Sequence, residues 1–110
     1  YRATGNLEGA RRYSAEIARL QPRSMAAHNA YGQLLMAGGD VAAALAEFTM
    51  ARSLDPAAFE PMVNTALAYE KLADPERACG AWRRVSQLAP RAQLREAALS
   101  HRREIGCADR

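Results

Sequence analysis

The sequence predicts an all-α fold, an α-solenoid in which helix–turn–helix units stack side by side. Alanine, the best helix former, recurs along the whole chain, whereas valine, isoleucine and threonine form no alternating runs of the kind a strand needs. The prolines Pro22, Pro56 and Pro90 are equally spaced, and we call the interval between them the repeat period. A fixed period of about 34 residues is typical of repeat architectures, so we expect about three such units with a capping helix at the C-terminal end.

The composition limits the classes of protein to which the chain can belong. Its 110 residues (12.0 kDa) suffice for one ordinary domain, and 49% hydrophobic with 25% charged residues is the balance of a globular protein. The longest apolar run covers residues 41–46, far short of the ~20 residues that cross a membrane, and no secretory signal opens the chain. Because the first residue is Tyr1 and not methionine, we expect a piece of a longer protein.

Other residues repeat in the same register as the prolines. A bulky ring, Phe48 or Trp82, stands eight positions before the second and third proline. Glycine stands seventeen positions before the first two prolines, at Gly5 and Gly39, where the third unit has Ala73. Leucine and alanine stand two and twelve positions before each proline, at Leu20, Leu54 and Leu88, and at Ala10, Ala44 and Ala78. Several registers with one period predict that each unit folds in the same way.

Capping residues delimit three helices in the first half of the chain. Side chains of Asn, Ser and Asp accept hydrogen bonds from the unpaired N–H groups at a helix start. The predicted helices, with their caps, are residues 7–20 (Asn6), 25–37 (Ser24) and 41–53 (Asp40). The pair Gly38 and Gly39 ends the second helix, because glycine reaches the left-handed conformation of a helix exit. The third ends before Pro56, since a proline pushes the preceding residue out of helical geometry.

The second half of the chain follows the same pattern. Pro61 falls in the first turn of a fourth helix, where its missing N–H costs little. The fifth helix starts after Asp74, a cap that is followed by a first-turn proline and an acidic residue. The last helix covers residues 92–105 and ends at Gly106. Its apolar residues lie on one side and its arginines on the other, as in a capping helix that faces solvent.

The chain resembles the tetratricopeptide repeat (TPR) family, whose unit is a helix–turn–helix of about 34 residues. The residues of the second unit that carry the resemblance are Tyr31, Gly32, Leu35, Ala44, Phe48, Ala51 and Pro56. Those of the third are Thr65, Ala66, Tyr69, Ala78, Trp82, Val85 and Pro90. His28, where the family usually has tryptophan, and Met62 depart from the motif. The resemblance covers essentially the whole chain and implies one domain wound as a right-handed superhelix. Its parts are half a unit (residues 1–22), two full units (23–56 and 57–90), a capping helix (91–106) and a tail (107–110).

The resemblance also implies a concave groove, lined by the first helix of each unit, that binds a protein or peptide partner. It places in the groove Asn29, Gln33, Met36, Glu60, Val63, Asn64, Leu67, Glu70 and His101. Amide side chains suit a peptide backbone, and Met36, Val63 and Leu67 suit its apolar side chains. Asn64 is equally well explained as a bridge between helices. The cationic cluster with which some members hold acidic chaperone tails is missing, so we do not expect such a tail as the partner.

The sequence shows no residues in an arrangement typical of catalysis, a cofactor or a metal. The only histidines, His28 and His101, have no cysteine, serine or acid at the spacing of a catalytic triad or a ligand set. His28 occupies a helix-packing position. His101 has Glu104 within one turn, where a surface pair contributes only tenths of a kcal/mol. We therefore expect neither an enzyme nor a cofactor or metal.

The two cysteines leave the redox state open. Cys79 and Cys107 are too far apart in sequence for a metal motif. The last helix should return antiparallel to the helix of Cys79, so a disulfide and two independent thiols are both compatible with the sequence. A bridge would close a loop of about 28 residues and indicate an oxidising compartment such as the periplasm. Free thiols leave the cytoplasm open, so the localisation is unknown at this point.

The net charge of +3 is distributed unevenly. Residues 1–23 carry +3, residues 24–75 carry −4 and residues 76–110 carry +4. Basic ends raise RNA or another anionic surface as a partner. Because the arginines are not interleaved with aromatic residues for base stacking, this interpretation is the weaker one.

These observations favour a protein–protein interaction module, a scaffold that binds a partner peptide or helix in its groove. Bacterial members of the resembled family commonly serve in secretion, pilus or envelope assembly. The alternative from another class is an oligomerisation domain, in which the last helix or a second copy in a homodimer covers the groove. Binding of RNA through the arginine-rich ends is a third interpretation.

Overall fold

Helices account for most of the described backbone. A computed structural model of the protein describes residues 3–107, and the predicted tail lies outside this range beyond Cys107. Over the described range it has six α-helices and no β-strand, which confirms the predicted all-α class. The helices are α1 (Ala3–Leu20), α2 (Met25–Ala37), α3 (Val41–Leu54), α4 (Glu60–Lys71), α5 (Pro75–Leu88) and α6 (Ala92–Ile105).

The repeat period recurs in the backbone hydrogen bonds. In the turn between α2 and α3 and in the turn between α4 and α5, three N–H groups donate to carbonyl groups at corresponding positions. The donor–acceptor pairs are Gly38–Leu34, Gly39–Met36 and Asp40–Leu35 in the first turn, and Leu72–Ala68, Ala73–Glu70 and Asp74–Tyr69 in the second. Both turns pass through the left-handed region, at Gly39 (φ 92°) and Ala73 (φ 57°). The period of the sequence is therefore also a period of the backbone.

Side-chain caps fix the start of three helices, as predicted. Ser24 accepts a hydrogen bond of 3.1 Å from the N–H of Ala27 at the start of α2. Asp40 accepts a hydrogen bond of 3.3 Å from the N–H of Ala43 at the start of α3. Asp74 accepts one of 3.2 Å from the N–H of Arg77 at the start of α5. Because a cap needs only residues within one turn, these boundaries are encoded locally.

Two helix boundaries differ from the prediction. Helix α1 begins at Ala3, so Asn6 lies inside the helix and not before its start. A cap residue starts a helix only where the preceding residues leave helical geometry, and residues 3–5 include no proline to force them out. Helix α3 continues through Leu54, because only Asp55, the residue directly before the proline, is pushed out of helical geometry (φ −145°, ψ 84°).

The chain divides into two compact units, the first of which ends at Pro56. In this unit α1 packs against α2, and α2 against α3. The ring of Phe48 on α3 is fully buried and lies directly against the backbone of Gly32 on α2. A Cβ atom at Gly32 would be 2.5 Å from Cε1 of that ring, so the missing side chain is what allows this close approach.

Replacing Gly32 with alanine is expected to lower the free energy of unfolding by about 1–2 kcal/mol, because the added methyl group overlaps a buried ring and this outweighs alanine's better helix propensity. The matched control is Gly80→Ala in α5, where a Cβ atom would meet nothing within 4 Å. For this control we expect the free energy of unfolding to rise by about 0.5–1 kcal/mol, because alanine has the better helix propensity and meets no neighbour. Urea denaturation followed by far-UV circular dichroism measures both values, and equal effects would contradict the assigned role of Gly32.

The second unit begins at Ala57 and has its own apolar core. Helix α4 packs against α5, and α5 against α6. The buried core residues are Met62, Ala66, Ala78, Ala81, Trp82, Val85 and Ala98, and partly buried side chains pack around them, namely Val63, Leu67, Tyr69, Leu94 and Ile105. Ala78 and Trp82 stand one repeat period after Ala44 and Phe48, which are buried in the first unit. The two units therefore bury residues at equivalent positions.

A disulfide joins the last helix to α5. Cys79 lies on α5, and Cys107 follows α6, with their Cα atoms 5.6 Å apart. Gly106 ends α6 in the left-handed conformation (φ 84°) and turns the chain toward Cys79. Nη1 of Arg102 donates a hydrogen bond of 2.8 Å to the carbonyl oxygen of Cys79, which adds a second link at the same point. Of the two redox states that the sequence leaves open, the structure contains the disulfide.

Candidate partner-binding face

Three of the predicted groove residues lie on one face of α2. Asn29, Gln33 and Met36 are separated by four and three positions, which places them in line along the helix. We call this set the α2 row. Gln33 is exposed, whereas Asn29 and Met36 are half-buried. The row therefore presents amide groups and one flexible apolar side chain.

A corresponding set lies on α4, one repeat period later. Val63, Leu67 and Glu70, which we call the α4 row, are all half-buried. Val63 and Leu67 pack against the core of the second unit. Glu60 is exposed one turn before Val63. Asn64, the remaining predicted groove residue of α4, is more deeply buried than the α4 row. Its side chain belongs to a residue that is only 6% exposed, so little of its surface is available to a partner.

The end of the α4 row belongs to a polar cluster, formed by Glu70, Trp82 and His101. The indole N–H of Trp82 donates to Oε2 of Glu70 at 2.5 Å, and Nδ1 of His101 lies 2.9 Å from the same oxygen. The rings of Trp82 and His101 are stacked, with centroids 4.2 Å apart. Since an ionised carboxylate only accepts hydrogen bonds, Nδ1 of His101 carries a proton in this contact. The cluster ties α4, α5 and α6 together, and the side chains of Glu70 and His101 stay about one-third exposed.

The structure thus brings together two predicted groove residues, Glu70 and His101. In the sequence the acidic residue within one turn of His101 is Glu104. In the structure His101 is paired with Glu70, 31 residues away. The structure also adds Trp82, which the sequence indicated only as a core ring. The row on α2 belongs to the first compact unit, and the row on α4 belongs to the second.

His28 is the centre of a second polar cluster, in the first unit. It is 8% exposed, in line with its predicted packing role. Its Nδ1 lies 2.7 Å from Oε1 of Glu47, and its Nε2 lies 2.9 Å from the carbonyl oxygen of Pro22. Both oxygens are acceptors when Glu47 is ionised, so the geometry favours an imidazolium with a proton on each nitrogen. Burial lowers the pKa of His28, but the hydrogen bonds to Glu47 and Pro22 and the charge of Glu47 together outweigh it and raise this pKa above 6.5.

This arrangement predicts that part of the stability depends on pH. The folded state binds the His28 proton more tightly than the unfolded state, so the stabilisation is complete below pH 6.5 and is lost as the pH rises through the raised pKa. We expect the difference in unfolding free energy between the wild type and a His28→Gln variant to shrink from pH 6 to pH 9. Urea denaturation at several pH values measures it. A difference that stays constant or grows with pH would exclude the imidazolium.

Two surface cavities of the second unit border the predicted groove residues. One, of about 550 Å³, is lined by Glu60 together with Phe59, Leu94 and Ala97. The other, of about 430 Å³, is lined by Glu70 together with Ala78 and Ile105. The first cavity has the carboxylate of Glu60 and the guanidinium group of Arg91 beside its apolar walls, whereas the second has two carboxylates, those of Glu70 and Asp74. Only the second cavity therefore suits an apolar side chain that carries or neighbours a positive charge.

The described residues include no group of three or more histidine, cysteine, aspartate or glutamate side chains that could hold a metal ion. None of the helices described is both long and apolar enough to cross a membrane. Comparison with models of known protein families gives no match for this sequence, and a search of curated proteins finds no significant similarity.

Proposed function

We propose that the chain is a protein–protein interaction module of the tetratricopeptide type, which binds a partner peptide or helix along its first helices. The observation that carries the proposal is the pair of rows, which recur on α2 and α4 after one repeat period with the same internal spacing. Each row offers hydrogen-bonding groups beside half-buried apolar side chains, the combination that a peptide in extended or helical form requires. The proposal includes no catalytic step, cofactor or metal.

The disulfide bears on the compartment in which the protein works. Disulfides between half-buried cysteines form and persist in oxidising compartments. We therefore propose that the protein works in such a compartment, and the periplasm is the bacterial example. Counting free thiols in protein isolated from its source with thiols blocked at lysis tests this location.

The test of the proposed function is selection of peptides from a random display library, followed by affinity measurements on α2-row variants. Gln33→Arg and Met36→Arg should each weaken binding of a selected peptide by about tenfold or more, since residues at the centre of an interface carry most of the binding energy. The matched controls are Gln87→Arg on α5 and Met50→Arg on α3, both exposed and outside the rows. They should leave the affinity within about twofold. Failure to select any peptide, or equal losses in variants and controls, would refute the proposal.

Self-association is the second candidate function, and two exposed side chains of α1 favour it. Tyr13 and Leu20 are 70% and 63% exposed, and their spacing of seven positions places them on the same side of α1. Sedimentation velocity over a range of concentrations tests it. A dimer that dissociates in a Tyr13→Ser/Leu20→Ser variant would support a homo-oligomeric role, and a monomer at all concentrations would exclude it.

A further inference from the structure

We propose that Cys79 and Cys107 form a reversible thiol–disulfide exchange site, at which reduction by a dithiol releases α6 from the second unit. This inference goes beyond the proposed function and does not depend on it. It rests on three observations: the access to the disulfide, the charges around it, and the shallow packing of the helix that it holds.

The disulfide is accessible from the surface. Cys79 and Cys107 are half-buried, and both border a surface cavity of about 420 Å³ that also reaches Gly80 and Ile105. Cys107 borders a further cavity of about 310 Å³. Cys107 thus borders both cavities, and a dithiol can approach it from either side.

The charges around the disulfide suit exchange with a thiolate. Arg83 and Arg102 border the larger cavity together with a single carboxylate, that of Glu76. Positive charge attracts an attacking thiolate and stabilises a leaving thiolate, which lowers the pKa of a nearby thiol. Because Nη1 of Arg102 donates a hydrogen bond to the carbonyl oxygen of Cys79, this guanidinium group is held at the backbone of one of the two bridged cysteines.

The exchange proceeds in two substitutions at sulfur. One thiolate of the dithiol attacks the Cys107 sulfur, the bond between the two cysteines breaks, and Cys79 leaves as a thiolate that takes up a proton. The reagent is now joined to Cys107 in a mixed disulfide. Its second thiol loses a proton and attacks the reagent sulfur of this mixed disulfide, and Cys107 leaves as a thiolate that is protonated in turn. Two electrons and two protons pass to the protein, and the reagent becomes a cyclic or intramolecular disulfide.

Helix α6 is the element that reduction would release. It has one buried residue, Ala98, whereas α4 has six. Its N-cap residue, Arg91, makes no side-chain cap hydrogen bond. The side chains of His101 and Glu70, which pair across α6 and α4, are partly exposed to solvent. Local opening starts in the segments with the least buried surface, so the covalent link has its largest effect on this helix.

Amide hydrogen exchange and the fluorescence of Trp82 test the proposal. Trp82 is the only tryptophan, is 2% exposed, and stacks on His101 of α6, so release of α6 exposes it. After reduction with excess dithiothreitol under native conditions, we expect exchange over residues 92–105 to accelerate about tenfold or more, as removing a loop constraint implies, with a red shift of the Trp82 emission. Exchange over α4 and α5 should change far less, and reoxidation with diamide should restore the original values.

A Cys79→Ser/Cys107→Ser variant provides the control, because its α6 should exchange rapidly with or without dithiothreitol. Three results would overturn the proposal. The first is a failure of native protein to yield two free thiols under conditions in which the urea-unfolded protein does. The second is full reduction without any change in α6 or Trp82. The third is a loss of protection in α4 and α5 together with α6, which would make the disulfide a staple of the whole unit.

Discussion

Replacing Phe48 with alanine is expected to lower the free energy of unfolding by about 3–5 kcal/mol, a large share of the stability of a protein of this size. The ring is 0% exposed, so all of its surface is withdrawn from water. It lies against the bare backbone of Gly32, which has no side chain that could move into the space left behind. Gly32 therefore cannot fill the resulting cavity, which adds to the cost of the lost burial.

Urea denaturation followed by far-UV circular dichroism measures this loss, and Phe48→Leu is the conservative comparison. Leucine keeps most of the volume, so its loss should be about 1–2 kcal/mol. The effect of Gly32→Ala should also depend on the ring, and in the Phe48→Leu background it should fall toward zero or become stabilising. Additive effects of the two substitutions, or a loss below about 1 kcal/mol for Phe48→Ala, would contradict this packing.

The sequence was sufficient for the helices because their signals are local. Ser24, Asp40 and Asp74 each act within one turn, and the structure finds them at the caps that were predicted. The repeat period can be read directly from the spacing of residues in the sequence, and the backbone hydrogen bonds of the turns recur with the same period. Asn6 shows where this reasoning fails, because a residue that suits a cap also occurs inside a helix when nothing before it ends the helix.

The polar clusters could not be predicted in the same way. The pairing of His101 with Glu70 joins residues 31 positions apart, and that of His28 with Glu47 joins residues 19 apart. Such contacts depend on how far each helix is rotated and shifted against its neighbour, which the packing of large and small side chains decides. One signal was nevertheless present in the sequence. His101 stands one repeat period after Leu67, so the period assigns it to the face of α6 that corresponds to the α4 row.

Replacing Trp82 with alanine should lower the free energy of unfolding by about 3–5 kcal/mol, because Trp82 is a large, 2% exposed ring in the core of the second unit. Its ring belongs to the core cluster that α4, α5 and α6 form, and its removal also leaves Glu70 with one hydrogen-bond partner fewer among those described. We expect amide protection to fall over residues 60–105 before it falls elsewhere. Urea denaturation followed by circular dichroism gives the overall loss, and hydrogen exchange with mass spectrometry locates it.

Trp82→Phe separates packing from hydrogen bonding in this prediction. Phenylalanine keeps an apolar ring in the core cluster but has no N–H for Glu70, so we expect a smaller loss of about 1–2 kcal/mol. Because the Glu70 carboxylate is partly exposed, water can replace the missing donor, which keeps this cost low. A Glu70→Gln variant keeps an acceptor oxygen for the indole and should cost less than Trp82→Phe. If Glu70→Gln were as destabilising as Trp82→Ala, the charge of Glu70 and not the buried ring would be the main support of the second unit.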